Sequence, residues 1–271
     1  MQDIHKGFHT VDQSTDVNFL FQFLDVADAT PSVRGYRQQM LNLLPVAPGQ
    51  RILEVGCGIG TIAMQLAETV GDSVQVLGID KNEVFIREAQ RRASSRNLPV
   101  EFQVGDANQL DLPDASFDVA RTERTLMYLE NPGQALDELV RVLKPGGEIV
   151  IFEFDYDSTV IDTSDRQLKR RIVRILSDSV PSSPIGRQAK RLFKERGLED
   201  VKVIPQLLES NFAGYKMVFG GTLDKAVERG ELGADELAAW WAELEQAEQN
   251  GTFFVGLLGF VVYGRKPETV I

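Results

Sequence analysis

Cysteine occurs once in these 271 residues, at Cys57, and histidine twice, at His5 and His9. One cysteine excludes an internal disulfide framework and is the usage of a reducing compartment, so a cytoplasmic protein is expected. With one Cys and two His, a zinc site built on those ligands is not expected, and no other metal is predicted. Long apolar runs are also missing. The last one, Thr252 to Tyr263, is broken by Gly256 and Gly259 and falls short of the roughly 20 residues of a membrane span. The opening MQDIHKGFHT has neither the basic start nor the apolar stretch of a secretory signal. Positive charge is scarce: 29 Lys and Arg against 40 Asp and Glu give a net charge of −11 and a pI of about 4.8. That balance opposes nucleic-acid binding, which depends on basic side chains neutralising phosphates.

What is present is the composition of a globular protein, 43% hydrophobic and 25% charged. One stretch reverses the charge. Residues 166–196 carry ten Lys or Arg against Asp178 and Glu195, a local +8. A solvated helix face is the first reading of such a segment; a contact for an anionic substrate or anionic lipid headgroups is the second.

Short β-rich runs alternate with helical spacing through the first half of the chain. Helices are expected over 15–28 and 32–44. A buried strand "RILEV" (51–55) leads into the loop "EVGCGIGT" and then the helix "TIAMQLAETV" (61–70). Further strands are expected at 74–79, 100–104, 117–121 and 148–154, with helices between them and "KPGG" as a turn. This predicts a doubly wound, parallel α/β sheet. Beyond 155 the pattern loosens. Helices are expected over 165–180 and 186–196, a strand over 199–208, two more helices, and a last strand within 251–265. Leu237, Trp240, Trp241 and Leu244 fall on one apolar helix face. The chain divides into an N-terminal helical arm or lid (1–45), a core (46–155), and a remainder (156–271) combining helical lid insertions with the last two strands.

Gly56, Gly58 and Gly60 bare the backbone where a strand turns into a helix, and that turn leaves amide N–H groups facing open space. Dinucleotide enzymes use the spacing G-x-G-x-x-G; here the third glycine arrives one residue early. Glu54 would repel a phosphate and suits an ammonium or sulfonium. Asp80 ends the second strand, where a carboxylate can accept both hydroxyls of a ribose. Asp106, after the third strand, can accept from an adenine amino group. Singly, each acid also fits a cap or turn. As a set they describe an adenosine with a positively charged appendage.

"EVGCGIG", "GIDKN", "GDANQLDLPDASFD" and "LKPGG", in this order, resemble the core motifs of the class I S-adenosylmethionine-dependent methyltransferases from about residue 46 to 155. "RTERTLMYLENP" resembles the R-x-E-R-x-L-x-H of a small-molecule subgroup, with Arg121, Glu123, Arg124 and Leu126 in place and Tyr128 at the histidine position. The resemblance implies a seven-stranded sheet of order 3-2-1-4-5-7-6 with the last strand antiparallel, and S-adenosyl-L-methionine as cofactor. It also implies site roles. Gly56, Gly58 and Gly60 would line the methionine and ribose, and Glu54 would face the amino group. Asp80 would hold the ribose with Lys81 beside the adenine, Asp106 and Ala107 would meet the adenine edge, and Arg121 would sit after strand four near the methionine tail.

Methyl transfer needs a base only where the acceptor must lose a proton early. The candidates are His5, His9, Asp155, Glu153 and Tyr128; the carboxyl ends of strands are where doubly wound sheets bind ligands, and Glu153 and Tyr128 are the catalytic residues expected. Tyr36, Tyr156 and Tyr215, with Phe212, are the aromatics expected to line an acceptor cavity. The activity expected is methyl transfer to an O, N or C atom of a small, natural-product-like acceptor. No nucleic acid and no stable membrane insertion are expected, and self-association is left open. The alternatives are a lipid or quinone acceptor met at a membrane surface, and a protein that binds the cofactor without transferring its methyl.

Overall fold

The computed structural model describes residues 17–44 and 46–268; His5, His9 and the first residues of the arm lie outside them. Five strands form the parallel part of one sheet: β1 (Arg51–Val55), β2 (Gln75–Asp80), β3 (Val100–Val104), β4 (Phe117–Glu123) and β5 (Leu143–Phe154). Consecutive side chains such as Ile52 and Leu53 on β1, and Val119 and Ala120 on β4, are buried. Parallel strands covered on both faces have that pattern. Three shorter-range partners complete the sheet: β6 (Val160–Ile161), β7 (Glu199–Glu209) and β8 (Val255–Arg265).

The order is β3-β2-β1-β4-β5-β8, with β7 on the far side of β8 and the two-residue β6 paired to the start of β8. β8 runs antiparallel to β5 and to β7. The expected order 3-2-1-4-5-7-6 is therefore present, with one added short strand shifting the numbering. Two expectations change. β4 continues to Glu123 rather than stopping at 121, which puts Arg121 inside a strand. "KPGG" belongs to β5 rather than preceding it as a turn: Phe117 pairs with Leu143, and the register shifts before Val119 pairs with Glu148. Glycine absorbs the extra length there as a bulge, Gly146 taking φ +76°.

Helices cover both faces. On one lie α2 (Pro31–Leu43), α3 (Thr61–Val70) and α4 (Glu83–Arg96), whose buried residues join Ile52, Val76, Val150 and Val261 of the sheet. On the other lie α5 (Pro132–Val142), α6 (Arg166–Asp178) and α7 (Ile185–Glu195), extended by α8 (Phe212–Glu228) and α9 (Ala234–Gln249). The capping residues are legible: Asn131, Asp165 and Asn211 each accept a first-turn amide of α5, α6 and α8. Leu237, Trp240 and Leu244 are buried against this second core, with Trp241 partly so. The most N-terminal described helix, α1 (Val17–Asp28), has a small contact of its own, Leu20 meeting Ile59 of the glycine loop and Phe85 of α4.

The basic segment is partly spent inside the molecule. Arg171 pairs with Glu236 of α9, Arg187 with Asp155 and Asp157, Arg191 with Glu195, and Arg196 with Asp137. Among the described residues no helix is long and apolar enough to cross a membrane.

Candidate active site

A cavity of about 590 Å³ opens over the carboxyl ends of β1, β2, β4 and β5. The strand order reverses between β1 and β4, and such switch points are where doubly wound sheets leave room for a ligand. Its inner wall is the loop after β1 together with Asp80, Lys81, Asn82, Asp106 and Ala107; α1, residues 154–159 and the start of α8 close the outer part.

The three glycines have different tasks. All have positive φ, +74°, +54° and +77° for Gly56, Gly58 and Gly60. Gly58 lines the cavity, and a Cβ on it would meet nothing within 4 Å. Gly60 does not line it. It is the N-cap of α3, and a Cβ there would lie 2.5 Å from the Phe102 ring. Its cofactor role is therefore corrected: it lets α3 start close against β3 and α4. Gly56 lines the cavity while packing on Thr125.

Asp80 is held by its own neighbourhood. Oδ2 accepts the Gly58 amide at 2.9 Å, and Oδ1 accepts the Asn82 amide at 2.9 Å and its side-chain amide at 3.2 Å. Burial raises its pKa, opposed by those amides. A carboxylate fixed this way, with lone pairs left over, suits a pair of vicinal hydroxyls. Asp106 is exposed at the wall and accepts the Asn108 amide at 2.8 Å; Ala107 beside it is buried.

Beneath the cavity lies a buried charge network. Glu123 Oε1 accepts the Tyr36 hydroxyl at 2.6 Å and Arg37 Nε at 2.9 Å, and Oε2 accepts from Arg121 at 2.9 Å. Arg121 also faces Glu54 at 2.9 Å, and Asp28 of α1 takes Arg37 at 2.8 Å and Arg124 at 3.3 Å. Three arginines thus meet three carboxylates. Burial works to raise the Glu123 pKa, but Arg37, Arg124 and Arg121 together hold it well below the usual carboxylate range. Glu54 has weaker support, and burial raises its pKa against Arg121. Its Oε2 is buried without completing a hydrogen bond.

Several expected roles change here. Arg121 is 1% exposed and does not reach the cavity; it backs Glu54 and Glu123 from within β4. Tyr36 is likewise no cavity wall: it is fully buried, bonded to Glu123 and stacked on Phe152 with centroids 3.7 Å apart. Glu153 is fully buried and off the cavity, its carboxylate taken by the amides of Thr125, Leu126 and Met127, so it is not placed to accept a proton from a substrate. Asp155 is bound to Arg187. Tyr128, Tyr156 and Tyr215 do line the cavity. Tyr215 contributes little surface, being 1% exposed with its hydroxyl buried. Phe212 packs on Trp241 and Phe253 instead.

Sequence reasoning assigned no role to Asp28, Arg37, Asn82, Glu123, Arg124 or Thr125, all of which line the cavity. One signal was available. Arg121 and Glu123 alternate along a strand and so share a face, which places their charges together before any partner is known.

A cavity at the switch point of a doubly wound sheet, lined by Glu54, Gly58 and Asp80, defines a class: the fold and site are those of the class I methyltransferases. Comparison with known proteins carries this to a family. A family model for the methyltransferase domain matches residues 47–198, and the chain belongs to that family. It is 36% identical over 245 residues to an uncharacterized 37.1 kDa protein in transposon TN4556 of Streptomyces fradiae, covering 89% of this chain and 69% of that one. To demethylmenaquinone methyltransferase of Lactobacillus johnsonii it is 36% identical over 121 residues, 44% of this chain and half of that enzyme's length. The structure of Haemonchus contortus phosphoethanolamine N-methyltransferase 2 shares the fold at 19% identity, with a TM-score of 0.62 over 98% of this chain and 61% of that one.

The class takes S-adenosylmethionine, and the residues present fit it. Glu54 offers an unsatisfied carboxylate oxygen for a cationic amino group, Asp80 a pre-oriented carboxylate for the ribose, and Gly58 the space a side chain would fill.

Proposed function

We propose that the protein transfers a methyl group from S-adenosylmethionine to a neutral, largely apolar small molecule held in the outer part of the cavity. The observation that carries this is the makeup of that part. Phe154, Tyr156, Val218, Phe219, Val255 and Leu257 line it, and among the described residues 154–159 and 208–219 that contribute to the wall, Glu209 alone is charged. An acceptor bearing both phosphate and amine, such as the phosphobases named for some relatives, would give up hydration there with no cation among those residues to receive the phosphate, since the lining Arg37 and Arg124 are already paired with Asp28 and Glu123. That costs several kcal/mol per ion. A quinol or similar ring, of the kind the demethylmenaquinone enzyme's name implies, loses little.

When bound, the cofactor supplies an electrophilic methyl on a sulfonium. The chain's part is positioning. Glu54, Gly58 and Asp80 fix the adenosine and methionine, Tyr128 orients the acceptor's polar atom, and α1 with α8 keeps water out. Bringing the reacting atoms to about 3–3.5 Å in line supplies roughly 7–11 kcal/mol of the barrier reduction. With Glu153 and Asp155 committed elsewhere, the acceptor is one whose nucleophile forms without a strong base. The ion pairs of α6 and α7 count against the membrane-surface reading, and the lone cysteine supports a cytoplasmic location.

Methyl-labelled S-adenosylmethionine, offered with a panel of naphthoquinols, phenols and phosphoethanolamine, tests this. Label should pass to a neutral aromatic acceptor. Transfer to phosphoethanolamine would overturn the acceptor class; tight S-adenosylhomocysteine binding without transfer to an extract of cellular metabolites would favour the non-methylating reading.

A further inference from the structure

Glu153 is a buried carboxylate beside the cavity that the cofactor site does not use and that, unlike its neighbour Asp155, has no cationic partner among the described ion pairs. It is the second-to-last residue of β5 and has no exposed surface, where a charged side chain is rarely kept. Its Oε1 accepts Thr125 N–H at 3.0 Å and Leu126 N–H at 2.8 Å, and its Oε2 accepts Met127 N–H at 3.3 Å. Three successive amides converge because the chain leaves β4 through Arg124 at φ +52°, a left-handed conformation unusual for arginine, fixed by its own amide on Phe152 O at 2.9 Å. The segment so held carries Thr125, Met127, Tyr128 and Leu129 into the cavity wall, and Thr125 packs directly on Gly56. Behind Glu153, α7 approaches so closely that a Cβ on Gly186 would lie 2.7 Å from the Glu153 carbonyl oxygen. The clamp therefore rests on a rigid backing.

We infer that Glu153 is a positioning residue for methyl transfer: its carboxylate clamps residues 125–129, setting the acceptor wall in register with the glycine loop. This rests on the methyltransferase reading above. Glutamine has the shape to replace it but presents an NH₂ group to one of the three amides, where no hydrogen bond can form. The titratable groups that interact with the carboxylate are Glu123 at the end of β4 and Tyr156 after β5; neither replaces its acceptor oxygens.

The experiment compares wild type and Glu153→Gln for S-adenosylhomocysteine affinity by calorimetry, for acceptor KM and kcat, and for the pH dependence of both. The variant should bind S-adenosylhomocysteine within about threefold of wild type, lose at least tenfold in kcat over acceptor KM, and lack the limb near pH 7 expected of the wild-type profile. Wild-type kinetics in the variant would overturn the proposal, as would equal losses for cofactor and acceptor together with a flat wild-type profile. Hydrogen exchange on the wild type needs no folded variant: Thr125, Leu126 and Met127 amides should be protected, and exchange at unprotected rates would also overturn it. Failure of wild type to bind S-adenosylhomocysteine would instead strike the underlying reading.

Discussion

Alanine at Gly58 and at Gly60 should separate ligand contact from packing within one motif. Both positions have positive φ, so an alanine at either costs about 1–2 kcal/mol for the left-handed backbone. Gly60→Ala adds a clash, its Cβ falling 2.5 Å from Phe102 Cζ and 3.0 Å from Ala89 Cβ. Both neighbours are in the core, where overpacking costs about 1–3 kcal/mol more. The total of about 2–5 kcal/mol should lower the melting temperature by roughly 5–15 °C in a chain of this size. Gly58→Ala meets no protein atom, so its stability loss should stop at the backbone cost. Its methyl instead projects where the cavity wall is bare, and S-adenosylhomocysteine should bind at least tenfold more weakly, a loss of about 1.4 kcal/mol. Thermal unfolding and calorimetry on the folded proteins measure both. Equal stability losses in the two variants, or wild-type affinity in Gly58→Ala, would refute the division.

Asp80→Ala should weaken S-adenosylhomocysteine binding by on the order of 1.5–3 kcal/mol, the value of a charge-assisted hydrogen bond, read by calorimetry; unchanged affinity would mean the ribose lies elsewhere. Tyr36→Phe should lower stability by about 1–3 kcal/mol, since it removes a buried 2.6 Å bond to Glu123. Acceptor KM should stay put, and a changed KM with full stability would restore Tyr36 to the cavity wall. Burial lifts Glu153 from 4.5 to about 7 against the pull of its three amides, so the native state holds this proton more tightly than the unfolded chain. The group's stabilising contribution is then complete below about pH 4.5 and lost as pH rises through 7, a change on the order of 3 kcal/mol. Denaturant unfolding of wild type and Glu153→Gln at pH 5 and pH 8 should show their stability difference shifting against wild type at the higher pH; a pH-independent difference would contradict the assignment.

The sheet, and the position of the glycine loop and Asp80 at its switch point, were legible because their signals are local. β1, its glycine loop and α3 form one continuous stretch, and Asp80 closes a strand whose apolar run announces it. The acceptor half was read less well because its geometry is non-local. Tyr36 and Arg37 meet Glu123 across 87 and 86 positions, and nothing in the helical spacing of α2 says that a tyrosine there turns to a buried carboxylate rather than a cavity. Sequence put Glu153 at the carboxyl end of a strand, but not which way its side chain turned. The amides that occupy it come from 26 to 28 positions earlier. The family resemblance placed Arg121 near the methionine tail, and nothing local to the strand says which way it turns. Its real partners, Glu54 and Glu123, sit on the neighbouring strand and on its own.

The charge network beneath the cavity also limits how this catalytic core can be moved between proteins. The family match begins at residue 47, whereas Asp28, Tyr36 and Arg37 lie upstream of it. Starting the chain at 47 would remove two of the groups hydrogen-bonded to Glu123, the partner Asp28 that Arg124 shares with Arg37, and the ring stacked on Phe152. Breaking a buried ion pair from one side costs about 3–5 kcal/mol, a large share of an ordinary domain's net stability. The family boundary is thus no place to splice: a chimera joining this core to a foreign substrate cap would have to inherit Asp28 at the end of α1 together with α2, or exchange Glu123 along with them.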